Sequence, residues 1–265
     1  LTVLASPAEL AQLETRLLET ESTPGPHLPV LASGSPTAAT APGLAALTSP
    51  TSWIHGAKRV LWLKVDFSDD PGASHTDAEI QASSAGISDF YAANSQGKTT
   101  LTFSIIPTPL RLPRPKSYYE TSGSTSGTLQ TEARDAAKAY DAANGGTGAW
   151  DPDRFDRYIV VHKRISVYLY GGVAQLGGPR VDLNNTVGVG TTTHEIGHNQ
   201  SLAHSHYWLP SGTNAAGPGA HVEYGDIFDV MGTSSAGGAV PLHFNAPQKA
   251  KLGYLDPVAN TTVTT

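Results

Sequence analysis

From Trp53 onward the apolar positions switch between two spacings, and the switches mark out the elements. Val60 to Phe67 alternates and is rich in β-branched and aromatic side chains, which predicts a sheet strand. Between Asp77 and Asn94, Ile80, Ile87, Phe90 and Tyr91 recur on a helical period, and the run stops near Gly97. Thr99 to Ile106 reads as the next strand, closed by Pro107. A second helix is predicted from about Thr128 to Asn144, ended by Gly145-Gly146. Arg157 to His162 is a short buried strand, and Tyr168 to Asn184 reads as strand, turn and strand. A further helix begins near Gly190, where Thr191-Thr192-Thr193 offers capping hydroxyls.

Ahead of Trp53 the pattern changes. Ser6-Pro7-Ala8-Glu9 has the form of a helix start, with Ser6 as N-cap, Pro7 at the first helical position and Glu9 completing a capping box. Leu10, Leu13 and Leu17 then share one face. Residues 22 to 52 are rich in Pro, Ala, Thr and Gly and read as an extended, wrapping linker. The chain therefore divides into residues 1–52, a folded domain over 53–256, and a threonine-rich tail over 257–265 that suits a linker. The first segment is either a helix docked on the domain or the remnant of an inhibitory pro-segment. The start at Leu1, with no signal peptide, points to a trimmed or processed form.

Composition narrows the function. The 265 residues are enough to bury a sizeable core. A net charge of −6 leaves no basic footprint for nucleic acid. No apolar run is long enough for a membrane span. Cysteine is absent, which removes disulfides and thiolate metal ligands and fits a secreted bacterial protein.

The chemistry is concentrated in His194-Glu195-Ile196-Gly197-His198-Asn199-Gln200-Ser201-Leu202-Ala203-His204. Residues four apart share a helix face, so His194 and His198 can point at one metal. Glu195 sits about 100° round that helix, within reach of a water on the metal. If the helix simply continued, His204 would lie roughly 15 Å beyond His194 along the axis. The chain must leave the helix after His198 for His204 to join. Three protein nitrogens and one open position are what a catalytic zinc requires. Downstream, Asp229-Val230-Met231-Gly232 carries the only methionine in the chain, in a Met-Gly turn.

These segments resemble the metzincin zinc endopeptidases, most of all the gametolysin-type branch and related secreted bacterial enzymes. Supporting stretches are Val60 to Asp69, Phe90 to Pro107, Glu223-Tyr224-Gly225-Asp226 and Phe244 to Lys249. The resemblance implies an α/β (α+β) catalytic domain with a twisted mixed sheet, an active-site helix and a Met-turn. It implies one catalytic Zn2+ on His194, His198 and His204, Glu195 as general base, a protein or peptide substrate, and an extracellular location.

The chain departs from the family pattern at Ser201, where the family has glycine, and at Thr233, where some members carry a tyrosine that stabilises the oxyanion. Tyr207 or Tyr224 could take that role, or could simply pack. His206 has the wrong spacing for a ligand. Asp226 and Asp229 could bind Ca2+ or brace the Met-turn. Asp66, Asp69 and Asp70 offer a second Ca2+ option or a solvated loop. Gly177 to Leu183 is either the edge strand that the resemblance leads one to expect, onto which an extended peptide adds, or a Gly-rich hairpin with no substrate role. Three alternatives stay open: a thermolysin-like site with Glu223 as third ligand, a metal-binding adhesin that cleaves nothing, and a latent zymogen.

Overall fold

The computed structural model describes residues 51–121, 126–233 and 243–255. The predicted helix after Ser6, most of the linker and the C-terminal tail lie outside them.

The domain is built on a mixed six-stranded sheet. After a short helix α1 (Thr51–Ile54) come β1 (Gly56–Asp66), α2 (Asp77–Asn94), β2 (Thr99–Ile105), β3 (Leu110–Arg111), α3 (Lys116–Tyr119) and α4 (Ser126–Ala143). They are followed by β4 (Arg157–His162), β5 (Gly172–Ala174), β6 (Arg180–Asn184) and α5 (Val189–Asn199). The hairpin β7 (Tyr207–Pro210) and β8 (Gly219–Val222) precedes α6 (Ala246–Lys251). The sheet runs β2-β1-β4-β6-β5, with β3 paired to β1 beyond β2. All pairings are parallel except β5 with β6.

Parallel strands are covered on both faces, so a central one reads as a continuous apolar run. In β1, Val60 and Trp62 join one core with Ile80, Ile87, Phe90 and Tyr91 of α2 and Ile196 of α5. Leu61, Leu63 and Val65 join a second core with Leu129, Ala133 and Ala137 of α4. Each large apolar side chain buried in this way contributes about 1.5–3 kcal/mol. The only polar atom on Trp62, Nε1, donates to Ser84 Oγ at 3.0 Å, so its burial strands nothing.

The α2 boundaries match the periodicity, and Thr76 with Glu79 forms a capping box at its start. The edge strand is a correction. Arg180–Asn184 lies inside the sheet between β4 and β5, and the exposed edge on that side is Gly172–Ala174. Gly177, at φ 66°, belongs to the turn that joins them.

Candidate metal centre

Helix α5 carries His194, Glu195 and His198, all buried. It ends as the spacing of His204 demands. The Ser201 N–H donates to the His198 carbonyl at 2.8 Å, and the Leu202 N–H donates to the Gly197 carbonyl at 3.1 Å. These two bonds make a Schellman ending, with fully buried Leu202 as its apolar anchor. Ser201 adopts φ 67°, the left-handed conformation for which glycine is preferred. Helix α6 holds the turn from outside: Lys251 Nζ donates to the Ser201 carbonyl at 2.7 Å and Gln248 Nε2 to the Ala203 carbonyl at 3.0 Å.

Ser201→Gly is expected to stabilise the domain by up to about 1 kcal/mol. Relief of about 1–2 kcal/mol of left-handed strain is partly offset by the greater freedom of glycine in the unfolded chain. A rise in Tm of roughly 2–4 °C would register it. A fall in Tm would refute the account of strain at Ser201.

The turn brings His204 back to the helix. His198 Nε2 lies 3.1 Å from His194 Nε2 and 3.1 Å from His204 Nε2. A tetrahedral centre with bonds of about 2.0–2.1 Å spaces its ligands by about 3.3 Å, so these separations suit zinc. The opposite ring nitrogens fix the tautomers. His194 Nδ1 donates to the Val230 carbonyl and His198 Nδ1 to the Leu202 carbonyl, both at 2.8 Å. His204 Nδ1 faces Glu223 Oε1 at 2.6 Å. A carbonyl only accepts, so the proton sits on Nδ1 and the Nε2 lone pairs point at one another. That arrangement is repulsive until a cation is shared among them. Among the described residues this is the one group of three or more His, Asp or Glu whose ligand atoms converge.

Burial pushes the His194 ring down to about 3, and the neighbouring His198 ring adds to it. Burial does the same to His204, again to about 3. Burial lowers His198 as well, so the three rings are neutral near pH 7. Burial also pushes the Glu195 carboxyl up to about 8, with a further contribution from the charge on Asp182. Glu195 Oε2 is buried without a hydrogen-bond partner among the described residues. Strand β5 closes over it, since a Cβ on Gly172 would sit 2.7 Å from Glu195 Cγ.

Met231 lies beneath the helix: a Cβ on Gly197 would come within 2.4 Å of its Sδ, so only glycine permits this approach. Asp229 braces the Met-turn, accepting from the Met231 and Asn245 N–H groups at 2.6 Å each. Asp226 accepts from the Phe228 N–H and from Asn245 Nδ2. Both aspartates are thus used in holding the turn.

Asp66 accepts from Arg111 and the Gly72 N–H, Asp70 pairs with Lys116 and Lys163, and Asp69 accepts from the Lys116 and Ser117 N–H groups. These carboxylates are loop braces and do not gather into a calcium cage. Glu223 meets His204 at Nδ1, the ring nitrogen that faces away from the cluster, and lies outside the group of converging ligand atoms. His206 stands outside the cluster, 5.8 Å from the His221 ring by centroids. Tyr224 lies against the His204 ring at 3.8 Å between centroids, while Tyr207 is exposed on β7.

No protein-family model matches the chain, and no curated protein matches it. Among solved structures it is similar to archaemetzincin from Methanopyrus kandleri, at 14% identity and TM-score 0.40, over 77% of this chain and 96% of that one. It is similar to metalloproteinase-II from Bacteroides fragilis at 13% identity and TM-score 0.44, over 80% of this chain and 54% of that one. Archaemetzincin from Archaeoglobus fulgidus, complexed with malonate, matches at 14% identity and TM-score 0.39, over 74% and 99%.

Proposed function

We propose that the protein is a secreted, zinc-dependent endopeptidase in which His194, His198 and His204 hold the metal and Glu195 is the general base. The observation that carries this reading is the set of three converging Nε2 atoms, that of His198 lying 3.1 Å from each of the other two, beside the buried Glu195 carboxyl group. A zinc ion bound there would supply a Lewis acid that activates water and polarises a carbonyl.

The chain's own groups do the rest. Glu195 accepts the proton of the attacking water and returns it to the leaving amine nitrogen. The Val230 and Leu202 carbonyls and the Glu223 carboxylate keep the three rings in the ligating tautomer throughout. The free edge of β5, whose Gly172 packs on Glu195, pairs with an extended peptide through its backbone and delivers the scissile bond to that carboxylate.

The test is metal removal and return. The isolated protein is expected to hold one zinc per chain, to cleave unfolded protein substrate, to stop on chelation and to recover with one equivalent of zinc. Cleavage that survives complete chelation sinks the proposal. Full zinc loading without cleavage would favour the metal-binding adhesin instead.

A further inference from the structure

We propose that two charge-poor segments flanking the histidine cluster form an apolar rim. This rim would select extended, uncharged polypeptide segments bearing large apolar side chains. The inference rests on the peptidase reading above and names its substrate class.

The first segment runs from Ile165 to Pro179 and contains no Asp, Glu, Lys or Arg. It follows α5 along its length. Gly171 lies against Thr191, Gly172 packs on Glu195, and the Gly177 N–H donates to the His198 carbonyl at 2.8 Å. Leu169 and Leu176, near its two ends, are 52% and 64% exposed.

The second segment runs from Ser205 to Phe228, between the third histidine and the Met-turn, and contains no Lys or Arg. It is anchored at the cluster by the Ser205 N–H on the Met231 carbonyl and by Tyr224 against His204. Its two acids are engaged internally, Glu223 with His204 and Asp226 with the Phe228 N–H and Asn245. Trp208 is 40% exposed, Leu209 51%, Ile227 61% and Phe228 69%.

Eight of the nine large apolar side chains exposed among the described residues lie on these two segments. Single exposed apolar residues are ordinary, but their concentration on both sides of one candidate site is not. A charged substrate side chain would lose water there: an acidic one finds no Lys or Arg on either segment, and a basic one finds only two carboxylates that already accept internal hydrogen bonds. An apolar one would remove rim surface from water. Continuity with the candidate centre makes a polypeptide substrate the occupant, ahead of a lipid surface or a second copy.

The test uses the full chain carrying Glu195→Gln, loaded with zinc, and two labelled peptides of equal length. One has Leu and Phe on both sides of its centre, and the other has Glu and Lys there. The apolar peptide is expected to bind at least about tenfold tighter by fluorescence anisotropy. Adding Leu176→Ser and Phe228→Ser should erase the difference. Both positions are largely exposed, so the fold should survive, with circular dichroism as the check.

Equal binding of the two peptides, or a preference that survives the double substitution, overturns the rim. So does loss of binding to neutral phosphatidylcholine vesicles, or of self-association, without any peptide discrimination. Selective binding by the Glu195→Gln protein, with no cleavage by the zinc-loaded parent, would uphold the rim while sinking the peptidase reading.

Discussion

Glu195→Gln is expected to lower kcat by about 10²–10⁴-fold while leaving the zinc content at one per chain. Glutamine keeps the shape and length of the side chain, so His194, the Met231 contact and the closure of β5 over position 195 are undisturbed. What disappears is the proton-accepting oxygen. The substitution should not destabilise the protein, because Glu195 is a buried carboxyl whose Oε2 has no hydrogen-bond partner among the described residues.

In metal-free protein the effect has a pH signature. The carboxyl is raised from 4.5 to about 8, mainly by burial. A raised carboxyl contributes its full stability below the unfolded value and loses it as pH rises toward the folded one. The Glu195→Gln variant should therefore gain on the parent in Tm between about pH 4.5 and pH 8, with chelator present. Cleavage within about threefold of the parent, with zinc retained, would remove Glu195 from the proton transfer.

Much of this site is legible in the chain because its chemistry depends on side chains at fixed spacing. His194, His198 and His204 need only helical geometry and a helix break to meet, and Ser201 supplies the break despite being the residue least expected there. The helix over 77–94 is equally plain, and the pair Thr76 and Glu79 was a readable start signal three residues apart.

Other parts leave no side-chain trace. The partners of His194 and His198 are the Val230 and Leu202 carbonyls, which any residue could provide. Strand β1 begins four residues earlier than its apolar alternation because Gly56 to Arg59 pairs through backbone with Thr99 to Thr102. Strand β5 is three residues of Gly, Val and Ala, too short for a period, whereas the expected edge over Gly177–Leu183 overlaps Arg180–Asn184, which carries the stronger pattern. The hairpin of β7 and β8 hides for a related reason. Its proline and glycine at Pro210 and Gly219 pair with each other, where a strand reading expects neither.

Glu223 and His204 can be separated by one comparison, and the expected difference between them is large. Apparent zinc affinities of about 10–16 kcal/mol across four ligands imply about 3 kcal/mol for each. His204→Ala should then weaken zinc binding by about two orders of magnitude and abolish cleavage at ordinary metal levels. His204 reaches the cluster through a loop rather than the helix, so its removal should leave α5 folded and the Tm of the metal-free protein little changed. Glu223→Gln keeps an oxygen that can still accept from His204 Nδ1, but removes the charge that raises the ring's basicity. Its loss should be nearer the low end of about 10–100-fold in zinc affinity, and the variant should recover its activity at high zinc. The His204→Ala protein should not recover in the same way, because no other donor among the described residues converges on His194 and His198. Competition against a calibrated chelator measures both affinities. If Glu223→Gln lost zinc as completely as His204→Ala while keeping its fold, the carboxylate would have to bind the metal directly, and the thermolysin-like arrangement would return.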